Sequence, residues 1–140
     1  MALLVRATVT SDPIFITELC SLVSDKSCGA VVAFTGDVRN HDGGKRVATL
    51  TYEIHPTAPD QIKTIARSVI DGRDVVKVAV AHRYGEIPIG ETAFAVAVSA
   101  HHRQSAFDAC SALVDEIKAK LPIWKHQVFL DGTNEWVNTA

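Results

Sequence analysis

From Arg103 to Leu121 apolar residues recur at helical spacing: Ala106, Phe107, Cys110, Leu113, Val114, Ile117 and Leu121 fall at i, i+3, i+4 and i+7 along one face. A stripe of that length demands a complementary apolar surface, and its flanks indicate the kind. "ETAFAVAVSAH" before it and "WKHQVF" after Pro122 are apolar runs carrying β-branched or aromatic residues, the pattern of strands. A helix packed on a sheet is the least that such a chain must build.

The remaining segments repeat the mixture. "LLVRATVT" alternates as a strand, and Ser11, Asp12 and Pro13 supply the cap and first-turn residues of a helix opening there. "CGAVVAFTGDVR" reads as a strand ending at Arg39, and the polar, glycine-paired "NHDGGKR" after it as a mobile loop. "VATLTYEIH" is a third strand. "TAPDQIKTIARSVIDG" spaces Ile62, Ile65, Ala66, Val69 and Ile70 as a second helix closed by Gly72. "VVKVAVAHRYGEI" and "ETAFAVAVSAH", joined through "PIG", form an antiparallel pair, and the tail "WKHQVFLDGTNEWV" a strand, a turn at Asp131 and Gly132, and a closing segment. With no repeat or linker, residues 1–140 read as a single α+β domain.

The composition, 47% hydrophobic and 21% charged, is that of a soluble globular chain, and no apolar run approaches the ~20 residues of a membrane span. The N-terminus shows no basic leader with a cleavable apolar core, so a cytoplasmic location is expected. A net charge of −2 argues against wholesale nucleic-acid binding, which leaves any anion site local. Cys20, Cys28 and Cys110 are spaced too irregularly for a disulfide framework or a metal knuckle and read as small apolar side chains.

Candidate chemistry lies in basic groups at the ends of elements: Arg39, the run His101, His102 and Arg103, then Lys118, and Lys125 with His126 beside Trp124. At roughly 100° per residue, Lys118 and Lys120 flank the long helix's apolar stripe at about 80° on either side. Lys118 shares a side with Lys125 if Pro122 turns the chain back. Taken singly, Arg39 is as well read as a solvated strand end, and each lysine as a surface side chain with its stem on apolar ground. Taken together they describe an anion-handling site. His101 and His102 point to opposite faces if extended, and no carboxylate or cysteine sits at ligand spacing, so neither metal nor cofactor is expected. His55 and His82 read as structural and His41 as a loop residue. Two rivals stay open: a non-catalytic phosphate- or nucleotide-binding module, and a small hydrolase with a histidine base. RNA is disfavoured because the basic groups are not interleaved with stacking aromatics.

Four stretches, "GAVVAFTGDVRNHDGG", "AHRYGEIPIGE", "SAHHRQSAFDA" and "IKAKLPIWKHQ", resemble in order and separation the motifs of the large catalytic subunit of molybdopterin synthase, the MoaE family. The resemblance runs from about Gly29 to Val137. It implies an α/β-hammerhead fold with additional antiparallel strands, and a sulfur transfer. A small ubiquitin-like carrier ending in Gly-Gly brings a thiocarboxylate, and the sulfur passes to cyclic pyranopterin monophosphate to make the dithiolene. It also implies catalytic roles for Lys118 and Lys125, and substrate contacts from Asp37, Val38, Arg39, His102, Arg103, His126 and Gln127. Family members often carry a basic residue soon after the tryptophan–valine pair, where this chain has Trp136 and Val137 followed by Asn138, Thr139 and Ala140. Helix geometry adds an expectation about assembly. Arg103 and Lys118 are fifteen positions apart on one helix, roughly 22 Å, too far for one small substrate. A symmetric homodimer with composite sites follows, and the resemblance adds two small subunits to make a heterotetramer.

Overall fold

The computed structural model describes residues 2–140. In chain order the elements are β1 (Leu3–Thr10), α1 (Ile16–Val23), β2 (Ala30–Asp37), β3 (His41–Asp42), β4 (Lys45–Ile54), α2 (Ala58–Ile70), β5 (Lys77–Arg83), β6 (Gly85–Glu86), β7 (Thr92–Ala100), α3 (Arg103–Lys120), β8 (Ile123–Phe129) and β9 (Asn134–Val137). They make two sheets. The first runs β1-β5-β7-β2, and the second β3-β4-β8-β9 with β6 added against β4. Among the described residues only β1 and β5 pair in parallel.

β5 and β7 are almost wholly buried because the first sheet is covered on both faces, which is why their sequences run apolar instead of alternating. Val78, Val80, Val96 and Val98 face α2 and α3 in the main core, while Ala79, Ala81, Ala95 and Ala97 face α1. Alanine on that second face lets a short helix sit close to the sheet. The main core continues into the second sheet through Leu50, Tyr52 and Ile123. Ile117, fully buried on α3, joins the same cluster, and truncating it to alanine would cost about 2–5 kcal/mol.

The structure departs from expectation at two helices. α1 begins at Ile16, with Phe15 as an extended residue before it, and not at Ser11–Pro13. Pro13 biases Asp12 away from helical geometry, and the extended run lets Ile14 reach the Ala79–Ala81 face beside Leu19. On α3, Phe107 is 54% exposed and lies off the buried face, which is instead made by Ala106, Ala109, Cys110, Leu113 and Ile117. The expected antiparallel partners β5 and β7 do pair, but the short β6 between them leaves for the second sheet. Among the described residues no helix is long and apolar enough to cross a membrane.

Candidate active site

A cavity of about 220 Å³ opens where the end of β2, strand β8 and the last turn of α3 converge. β2 delivers its end there through a register shift between Gly36 and Asp37 against β7. The Asp37 carboxylate accepts a hydrogen bond from Thr92 Oγ1 at 2.9 Å. The Val38 N–H donates to the Glu91 carbonyl at 3.0 Å, and Gly90 N–H donates to the Val38 carbonyl at 2.7 Å. Val38 is thereby buried, and Arg39 emerges at the rim with its side chain 65% exposed, 3.4 Å from Asp42.

β8 contributes by alternation. Ile123, Lys125, Gln127 and Phe129 share one face, and the middle two line the cavity. Gln127, almost fully buried, donates both to Asp42 Oδ2 at 2.7 Å and to Glu135 Oε1 at 2.9 Å. The Gln127 hydrogen bond foremost, then the charges of Lys125 and Arg39, hold the Asp42 carboxyl below its usual range. Lys118 enters from α3. Much of its side chain is exposed, but its ammonium reaches inward to an oxygen of Ala140 at 3.0 Å. Partial desolvation, and then the neighbouring charge of Lys125, lower the Lys118 pKa.

Aromatic groups form the floor. Tyr52, whose strand pairs directly with Lys125, and Phe94 both line the cavity. Between them lies His82, its ring stacked on Phe94 at 5.3 Å and edge-on to Tyr52 at 4.8 Å. Burial pushes the Tyr52 hydroxyl up to about 12. It pushes His82 down to about 4, with the Lys118 charge acting in the same direction. His82 therefore stays neutral, its Nδ1–H donating to the Arg83 carbonyl at 2.8 Å while Nε2 is buried without a partner.

Of the residues singled out by sequence, Asp37, Val38, Arg39, Lys118, Lys125 and Gln127 come together around this cavity. His126 does not. Strand alternation turns it to the other face of β8, where it stacks on Trp136 at 4.3 Å. His102 and Arg103 are also apart, exposed at the opposite end of α3 from Lys118. Sequence reasoning missed Asp42, Tyr52 and Phe94. The "NHDGG" loop was the one available signal for Asp42, whereas Tyr52 and Phe94 looked like any core aromatic. Among the described residues no group of histidine, cysteine and carboxylate side chains is placed to hold a metal ion. The arrangement supplies three cations, a neutral amide and two fixed carboxylates, Asp37 and Asp42, around an apolar floor, which suits an anionic ligand carrying a ring.

Comparison with known proteins is consistent across sequence and structure. The family model described as "MoaE protein" matches residues 9–120. A molybdopterin synthase catalytic subunit from rat is 37% identical over 128 residues, which make up 91% of this chain and 64% of the rat protein. The molybdopterin synthase catalytic subunit 1 of Mycobacterium tuberculosis is 40% identical over 133 residues, 92% of this chain and 88% of that protein. The crystal structure of molybdopterin synthase from Staphylococcus aureus superposes with a TM-score of 0.85 at 28% identity, covering 94% of this chain and 96% of that one.

Proposed function

The chain belongs to the MoaE family of molybdopterin synthase catalytic subunits, and from that membership we propose that it transfers sulfur from a small thiocarboxylated carrier to cyclic pyranopterin monophosphate. The observation that carries this reading is the convergence of Arg39, Lys118 and Lys125 on one cavity. A phosphate ester and a thiocarboxylate are both anions, and the cavity offers each a distinct cation. Arg39 at the open rim presents a planar fork to phosphate, while the lysines farther in act as point charges. Lys118 already donates to an oxygen of Ala140 inside the cavity, so its ammonium reaches the space where an anionic oxygen of a ligand would sit. Because its proton is held less tightly than an ordinary lysine's, it is also suited to donate one as sulfur adds and the ring opens. Tyr52 and Phe94 give the pterin an apolar surface.

His102 and Arg103 enter this reading through a second copy of the chain. Among the described residues β2 lies at the end of its sheet and pairs only with β7, and Val31 on it is 48% exposed. Ala30 pairs with Ala100, and Gly29 N–H donates to the His101 carbonyl at 3.2 Å, so the start of α3 sits beside the start of β2. Two copies paired antiparallel along β2 and centred near Ala33 would bring one copy's His102–Arg103 corner to within about 10 Å of the other's Asp37–Arg39 segment, two strand spacings away. Each site would then take Lys118 and Lys125 from one protomer and Arg103 from its partner.

The test is to mix the purified chain with a thiocarboxylated carrier and cyclic pyranopterin monophosphate and assay for the dithiolene product. Product that depends on the carrier supports the transferase. Tight binding of phosphate or nucleotide with no sulfur transfer would favour the non-catalytic binding module.

A further inference from the structure

The stretch Arg83–Thr92 lies behind the cavity rim and has no part in the chemistry above, yet it fixes the two residues that precede Arg39. Gly90 and Glu91 make the two backbone hydrogen bonds to Val38, and Thr92 holds the Asp37 carboxylate. Arg39 itself is weakly held, its 3.4 Å contact with Asp42 being its one ion pair among the described residues. Where Arg39 presents its guanidinium therefore depends on where the 90–92 segment sits. That segment is reached from β5 through a connection with glycines at positive φ at both ends, Gly85 at 87° and Gly90 at 90°. Between them Ile87 is buried and its N–H donates to the Leu50 carbonyl at 2.9 Å, which leaves the far end to be fastened separately.

The fastening is an ion pair. Arg83, at the end of β5, is only 8% exposed, and its Nη1 donates to Glu91 Oε1 at 2.7 Å. Its Nε is buried with no partner. A guanidinium is a costly group to bury for packing alone, since an apolar side chain of similar volume fills the same space without desolvation. Its cost is explicable if the bond to Glu91 sets a geometry.

We propose that the Arg83–Glu91 pair is a positioning latch for the substrate's anionic group, fixing the Gly90–Thr92 segment, through it Val38, and so the placement of the Arg39 fork. The proposal rests on the reading that Arg39 grips phosphate. The experiment titrates inorganic phosphate into the full-length chain by calorimetry and measures KM and kcat for the cyclic pyranopterin monophosphate in the transfer assay, for Glu91→Ala, Arg39→Ala and the double variant. Glu91 is half exposed, so its truncation leaves the core intact. Glu91→Ala is expected to weaken phosphate binding and raise KM about 5–10-fold with kcat within about twofold, the range of one ordinary hydrogen bond, since the Arg39 contact is misplaced and not removed. In the Arg39→Ala background the same change should add nothing, because the latch acts only through Arg39. Arg83→Met should match Glu91→Ala. No loss from Glu91→Ala, or an equal loss with and without Arg39, overturns the latch. If Arg39→Ala itself leaves phosphate affinity unchanged, it is the underlying reading of Arg39 that fails.

Discussion

Lys118 shows how one side chain links burial to reactivity. The fold disfavours its charged form, so below the unfolded value of 10.5 the protonated lysine costs stability, and that cost disappears as pH rises through the folded pKa toward 10.5. Lys118→Ala is expected to lower sulfur transfer by about 100-fold or more, the scale of a lost proton donor, without lowering the melting temperature at pH 7. Product formation at the wild-type rate with unchanged melting would remove Lys118 from the reaction. His82 makes a complementary case. Its folded pKa of about 4 lies below the ordinary 6.5, so the unfolded chain takes up its proton first on acidification. Stability present above pH 6.5 is lost as pH falls toward 4, by up to about 3 kcal/mol from this residue alone. Phenylalanine keeps an aromatic ring between Tyr52 and Phe94 and cannot be protonated. Denaturant unfolding of His82→Phe between pH 7 and pH 4 should show that much less acid sensitivity, and an identical pH slope would mean that other groups carry it.

At the scale of elements, what is periodic was legible and what is long-range was not. α2 and α3 follow from the spacing of their apolar residues, and Gly72 at φ 75° closes α2 as its sequence position suggests. Phe107 was misplaced because it sits at the margin of a broad stripe, where helical spacing alone does not fix which side is buried. β8 was more legible than the sequence reading allowed. Period-two alternation already places Lys125 and Gln127 together and His126 opposite, which the motif-based grouping ignored. The division into two sheets had no local signal, since the pairing of Tyr52 with Lys125 joins residues far apart in sequence. Nor did the convergence of Asp42 and Gln127. One junction between elements is tight enough to test directly. A Cβ added at Gly29 would stand 2.8 Å from the His101 carbonyl oxygen, a backbone atom that cannot turn aside. Gly29→Ala should therefore cost about 1–3 kcal/mol in chemical denaturation and displace the corner that carries His102 and Arg103. A loss below about 0.5 kcal/mol would mean that β2 and β7 separate easily at that end.

For the whole molecule, the distance along α3 makes a prediction about assembly. Arg103→Ala chains and Lys118→Ala chains, each inactive alone, should recover activity when mixed and allowed to exchange subunits, up to one intact site per mixed dimer. No recovery despite demonstrated exchange would mean that each chain completes its site by itself. The topology also bears on how the molecule is made. Among the described residues β1 pairs only with β5, so Thr10 meets its partner Arg83 across 73 steps of chain. At ribosomal speeds of about 5–20 residues per second, a strand finished early in synthesis waits about 4–15 s for the strand that will receive it. During that interval Leu4, Val5 and Val9 have no sheet to join, and α1, which needs Ala79 and Ala81 beneath it, has none either. Nascent chains thus carry these unpaired apolar faces until β5 emerges, which makes the interval between the synthesis of β1 and β5 one in which a ribosome-associated chaperone would matter.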